Sequence, residues 1–277
     1  MISFANFRWG RRARLASLRR ILPILGYLAL ITVSALGATI IASVVTPRSW
    51  PTAYAWLVKA TLVMACIIAV TAAYLRRSVL TWNDFGVGAG KLALPSGIGA
   101  ALGVLLGMAW VSVVYWIAPF DVTWNPQVIP TRWLAAGIGT VAMGVAEEVG
   151  YRSFALRELQ ARAGYWPAML IPTVLFCASH FAGGVPWQAT LLVVGSASVL
   201  FSVVMLETRS LPLVIALHAA SNLVQDNVLR PSIDSSAFTL TSLSGPAQAV
   251  QLQVWFAMMA VNVLATVTVL AWGRCRQ

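Results

Sequence analysis

Eight stretches of the chain are apolar almost without interruption: residues 21–45, 54–75, 97–118, 133–150, 166–181, 188–206, 211–227 and 250–272. Most approach the ~20 residues a helix needs to cross ~30 Å of hydrocarbon. Helices satisfy their own backbone groups in lipid, so the pattern predicts an all-α, polytopic membrane bundle of eight transmembrane helices. The fourth stretch can continue as a helix beyond residue 150. Connections are short, and no repeat, low-complexity tract or long linker divides the chain. One membrane domain is expected over 21–272, after a basic segment at 1–20 and before a short tail at 273–277.

The polar positions between these stretches set the topology. The chain is 59% hydrophobic and 10% charged, with a net charge of +11. Its basic residues flank the spans, which assigns the charge to membrane topology and not to nucleic acid. With eight spans, fifteen of them fall on one side: Arg8, Arg11, Arg12, Arg14, Arg19, Arg20, Arg76, Arg77, Lys91, Arg152, Arg157, Arg162, Arg209, Arg274 and Arg276. Three fall on the other, Arg48, Arg132 and Arg230, while Lys59 sits near the start of the second span. The rule that positive loops stay inside then puts both termini in the cytoplasm, and the compact loops suit a bacterial inner membrane. The first apolar run, 25 residues long, exceeds a cleavable signal core and predicts a retained helix. The arginines before it suit anionic headgroups. Trp50, Trp133, Trp166, Trp187 and Trp272 fall near span ends, as an interfacial aromatic belt requires.

Several features carry no chemistry. Cys66 and Cys177 read as small core residues and Cys275 lies in the basic tail, so neither a disulfide framework nor a CxxC pair is present. DFGVGAGK at 84–91 imitates a phosphate loop, but Phe85 stands at the first glycine position and Leu92 at the hydroxyl position. A flexible cytoplasmic turn is expected there. Gly99, Gly103 and Gly107 make a small-residue stripe on the third span, a close-packing face for another helix.

Six of the eight acidic residues lie in loops or near span ends; Glu147 and Glu148 are attached to an apolar run. Both histidines of the chain, His180 and His218, also fall within apolar spans or at their ends. Ionisable groups inside a membrane domain mark a functional site by default. Adjacent residues project about 100° apart on a helix, so the two glutamates serve different roles. Glu148 and Arg152 are spaced for a helical ion pair, which leaves Glu147 to face a cavity. Ala136, Thr140 and Gly144 continue the Glu148 face with small residues, admitting a neighbouring helix. His218 and Asn222 share one face, and Phe176 lies one turn before His180, where its ring packs beneath the imidazole.

EEVGYR at 147–152, FCASH at 176–180 and HAASN at 218–222, in this order on separate spans, resemble the CAAX-protease and bacteriocin-processing (CPBP) family, the Abi or Rce1-like intramembrane peptidases. The resemblance covers spans four to seven, and the eight-span count agrees with an Rce1-like helical bundle. It implies hydrolysis of a peptide bond in a membrane-anchored or lipidated protein or peptide. In that chemistry Glu147 and His180 activate a water, Arg152 keeps Glu148 charged, and His218 and Asn222 donate to the oxyanion. A divalent metal such as zinc is the alternative, with Glu147, His180 and His218 as ligands. The absence of HExxH favours a site that requires no cofactor. The same buried groups also suit a proton-coupled transporter or a non-catalytic scaffold, although inverted repeats are not seen.

One difficulty follows from helix rise. Glu147 lies 14 residues after Trp133 and His180 14 residues after Trp166, about 21 Å along antiparallel helices. In a ~30 Å core that separates them in depth by roughly 12 Å. Span five must start below the hydrocarbon, or the helices tilt, or the boundaries shift. A site near mid-membrane, opening to the cytoplasm, is expected.

Overall fold

The computed structural model describes residues 11–88, 90–229, 234–243 and 250–275. Arg8, Arg230 and Arg276 of the charge asymmetry lie outside the described residues. Every one of the eight apolar stretches is helical. They correspond to α1 (Arg11–Val45), α2 (Thr52–Leu75), α3 (Ala93–Ile117), α4 (Pro130–Arg152), α6 (Tyr165–Ala182), the span Trp187–Thr208, α9 (Leu211–Val224) and α10 (Gln251–Arg274). The span Trp187–Thr208 comprises α7 (Trp187–Ala189), a π-helical segment Thr190–Gly195 and α8 (Ser196–Thr208). A second π turn, Gln225–Leu229, extends α9.

Two elements were not expected. After Arg152 the chain breaks at Ser153 and resumes as the ten-residue α5 (Phe154–Ala163). The Ser153 hydroxyl donates back to the Val149 carbonyl, a local bond that competes with the helical ladder and bends it. Phe154, Ala155, Leu156 and Leu159 of α5 are buried. At the opposite end of α4, β1 (Phe120–Trp124) pairs antiparallel with β2 (Phe238–Ser242), Phe120 facing Ser242 and Trp124 facing Phe238. Their alternating Thr and aliphatic or aromatic residues have strand character, and Thr123 and Thr239 share a cross-strand hydroxyl bond of 2.9 Å.

Among the described residues, six helices are long and apolar enough to cross a membrane. α4 and α9 are not among them, because α4 carries Arg132, Glu147, Glu148 and Arg152 and α9 has only 14 α-helical residues. α9 and the second half of α4 lie inside, while Trp133, Leu134, Ile138 and Val141 of the first half are exposed; α4 packs between α2 and α9, and α9 between α3 and α4. The most apolar segment of α10 is 17% buried, against 67% for that of Trp187–Thr208, which makes α10 peripheral and the latter a core helix. The five tryptophans assigned to an aromatic belt are all 41–65% exposed.

The glycine stripe of α3 performs the expected packing and names its partner. A methyl group on Gly99 would lie 2.2 Å from the Leu213 carbonyl oxygen, and on Gly103 2.3 Å from that of Leu217. At Gly107 it would meet Val224 Cβ at 2.6 Å. The backbones of α3 and α9 are therefore in direct contact, as small residues allow. On α4, Gly144 faces Ala219, and the Thr140 hydroxyl donates to Asp226 at 3.0 Å. The small-residue face leading to Glu148 thus receives α9. Gly103→Ala should push Leu217, and with it His218, out of place, and destabilise the fold by about 1–3 kcal/mol, an overpacking cost. Thermal unfolding in detergent measures this, with Gly97→Ala, which meets no atom within 4 Å, as the neutral control.

The loop at 84–91 differs from expectation at its start. Trp82–Phe85 forms a 3-10 turn with Phe85 fully buried, so the segment is anchored where a flexible turn was expected. Asp84 accepts from the Thr81 N–H at 2.6 Å and the Thr81 hydroxyl at 2.8 Å. Those bonds hold its carboxyl below the usual carboxylate range.

Candidate active site

Glu148 and Arg152, one turn apart on α4, are both fully buried and form an ion pair of 3.3 Å. A dry ion pair costs several kcal/mol in desolvation unless its remaining groups are bonded. Three neighbouring elements provide for part of this, while Glu148 Oε2 and Arg152 Nε and Nη1 have no hydrogen-bond partner among the described residues. His218 Nδ1 of α9 lies 2.7 Å from Glu148 Oε1. The Ser198 hydroxyl of α8 accepts from Arg152 Nη2 at 2.7 Å and itself donates to Thr173 of α6 at 3.0 Å. The guanidinium also lies over the Phe176 ring at 4.6 Å, a favourable cation–π contact. Arg152, counted above among the cytoplasmic basic residues, is thus an interior group, which leaves fourteen on that side.

Glu147 projects elsewhere, as the 100° step requires. Its carboxylate is 19% exposed, with Oε1 3.9 Å from His180 Nε2 and Oε2 3.6 Å from His218 Nε2. Both separations exceed a direct hydrogen bond. The other nitrogen of each ring is already engaged. His180 Nδ1 faces the Phe176 carbonyl at 3.0 Å, and a carbonyl only accepts, so this nitrogen carries the proton. His218 Nδ1 faces a carboxylate, with the same result. The Nε2 atom of each ring then faces Glu147. Phe176 lies 4.3 Å from the His180 ring, and Phe201 stacks on His218 at 4.6 Å. These aromatic faces fix the planes of both imidazoles.

His180, His218 and Asn222 line one cavity of about 470 Å³, within the range of a ligand site. Trp110, Val193, Trp255 and Met258 form much of its apolar lining. Asn222 makes no hydrogen bond among the described residues, so its amide is free to meet a ligand.

The six residues singled out from sequence accordingly come together. The expected depth discrepancy is not found, since His180 Nε2 lies 3.9 Å from Glu147 Oε1, and α6 does not start where α4 ends. The ten residues of α5 intervene, about 15 Å of helix at 1.5 Å per residue. Sequence reasoning missed Ser198, Thr173 and Phe201, since a serine, threonine or phenylalanine in an apolar helix breaks no pattern. It also gave Glu148 only Arg152 as a partner, whereas His218 binds it more closely. The three residues considered as metal ligands, Glu147, His180 and His218, face one another across 3.6–3.9 Å, although among the described residues no group of three His, Cys, Asp or Glu has the geometry of a metal-ion site. The Nδ1 bonds of the two histidines are those a metal ligand also uses, but they orient the rings toward Glu147 itself.

Residues 129–224 match the family model described as Type II CAAX prenyl endopeptidase Rce1-like. No curated protein and no solved structure matches the chain. The matched segment runs from the start of α4 through the end of α9 and contains all six candidate residues.

Proposed function

We propose, on the match of residues 129–224 to the Rce1-like CAAX endopeptidase family model, that the protein is an intramembrane endopeptidase whose nucleophile is a water activated by Glu147. One observation carries the reading. A carboxylate faces the Nε2 atoms of two oriented histidines at 3.9 and 3.6 Å, spacings that a bridging water spans. The carboxylate takes a proton from the water as its oxygen bonds to the substrate carbonyl carbon. Asn222 and His218, on the same cavity wall, supply polar contacts to the developing oxyanion, each donor contributing about 2.7–4 kcal/mol. The proton then passes to the amide nitrogen as the C–N bond breaks. Glu148 and Arg152 act through His218, holding its ring in place.

The substrate class is a membrane-anchored or lipidated protein or peptide, met at a site opening toward the cytoplasm of a bacterial inner membrane. The test compares membrane proteomes of cells carrying the wild-type protein or Glu147→Ala, with new termini mapped by mass spectrometry. A precursor uncut in the mutant supports proteolysis and names the substrate. Identical termini with a folded, functional mutant would overturn it in favour of a scaffold or transporter.

This reading assigns no step to a metal ion. Cleavage by the purified protein should therefore persist unchanged after prolonged treatment with 1,10-phenanthroline. Loss of activity that added zinc restores would overturn that part of the reading.

A further inference from the structure

α10 buries two polar side chains on one face: Thr266, whose hydroxyl donates within the helix to the Asn262 carbonyl at 2.7 Å, and Asn262, which bonds to other helices. Asn262 is fully buried, which in a membrane helix is costly unless every polar atom is bonded. Its Oδ1 accepts from the Trp110 indole of α3 at 3.0 Å. An indole nitrogen only donates, so the amide orientation is fixed. Nδ2 then donates to the Ser196 hydroxyl at 2.9 Å and reaches the Val193 carbonyl at 3.5 Å. Val193 belongs to the π-helical segment Thr190–Gly195. Such a turn departs from the ordinary helical ladder, and Ser196 Oγ also donates to the Val193 oxygen at 3.1 Å.

These bonds join the parts of one surface. Trp110, Val193 and Val194 line the cavity that His180, His218 and Asn222 enter, and so do Trp255 and Met258. Met258 precedes Asn262 by one turn and Trp255 by two, so α10 presents them on the Asn262 face. The wall is drawn from three helices packed side by side. Asn262 is the buried group that hydrogen-bonds to both of the others.

We propose that Asn262 is a specificity-determining positioning residue: by locking Trp110 to the π turn it fixes the apolar wall of the cavity, and so determines which bond of a bound chain meets Glu147. The inference rests on the peptidase reading. A chain lying in the cavity touches the wall with its side chains and the Glu147 water with its backbone. A wall free to shift lets the chain slide, presenting neighbouring bonds. The chemical groups themselves stay in place, because none of them bonds to Asn262.

The test follows the substrate identified by its Glu147-dependent terminus. Asn262→Leu keeps the volume and suits lipid. It should spread cleavage over neighbouring bonds and raise KM about tenfold, the weight of one lost hydrogen bond, with kcat at the original bond retained. Ser196→Ala leaves Asn262 in place and removes one acceptor, so it should give the same displacement to a smaller degree, and it serves if Asn262→Leu does not fold. A single unchanged terminus with unaltered KM in Ser196→Ala overturns the proposal, as does a uniform fall in kcat at every bond in Asn262→Leu. Identical termini in wild type and Glu147→Ala would remove the peptidase reading first, before any Asn262 variant is made.

Discussion

Glu147→Gln should lower the rate of cleavage by about 10²–10⁴-fold, the usual contribution of a positioned general base, while leaving thermal unfolding where it is in the wild type. The amide occupies the same space but offers one acceptor in place of two and cannot take the proton from water. Stability is spared because the carboxylate makes no short contact: its nearest imidazole nitrogens are 3.6 and 3.9 Å away, and it is partly exposed. Single-turnover cleavage of the identified substrate measures the first effect and differential scanning fluorimetry the second. A variant that keeps its full rate would show that the water is activated elsewhere. The contrast with its neighbour is sharp. Glu148 is fully buried and bonded to both Arg152 and His218, so Glu148→Gln should disturb fold and activity together.

Arg152→Met should cost about 3–5 kcal/mol of stability, the penalty of leaving a buried charge without its partner. The thioether fills part of the space under Phe176 but leaves Glu148 charged among apolar groups and Ser198 without its donor. Adding Glu148→Leu removes the orphaned charge, and a buried ion pair replaced by apolar residues is often neutral in stability. The double variant should therefore recover most of the unfolding temperature while remaining slow, since His218 Nδ1 has lost its acceptor. A double variant as unstable as Arg152→Met would mean that the guanidinium stabilises through Ser198 and Phe176 and not through its charge. Chemical denaturation in detergent, read alongside turnover, separates the two.

How far the sequence foretold this arrangement depended on which physical signal each residue leaves. The spans were legible because twenty apolar residues have few other uses, and the glycine spacing on α3 already marked a packing face. The ion pair of Glu148 and Arg152, and the ring of Phe176 beneath His180, follow from helical spacing within one element. What joins separate helices was harder to see. That His218 would bond to Glu148 depends on how α9 lies against α4, which no local spacing encodes. Asn262 left a faint mark, an amide in the middle of the last span, away from Gln251 and Gln253 at its start, and it could have been singled out on grounds of cost. α5 was absorbed into the linker because its apolar residues are too few to suggest a span. The paired strands were missed because five residues of alternating character are too short to stand out beside helices of 24 or 25 residues.

Five of the six candidate residues lie on α4 and α9, the two helices too charged or too short to cross a bilayer unaided, and this bears on how the protein responds to its bilayer. α2, α3 and α10 have 24 or 25 residues each, about 36–38 Å of helix. They exceed a ~30 Å core and accommodate it by tilting. A thinner or thicker bilayer therefore acts first on these outer helices. It reaches His218 chiefly where the glycines of α3 touch the backbone of α9, a contact with no flexible side chain between them. That seam transmits the hydrophobic mismatch of the surrounding acyl chains to the inner helix, as the packing of α2 does to α4, and so acyl-chain length becomes a variable that the site registers.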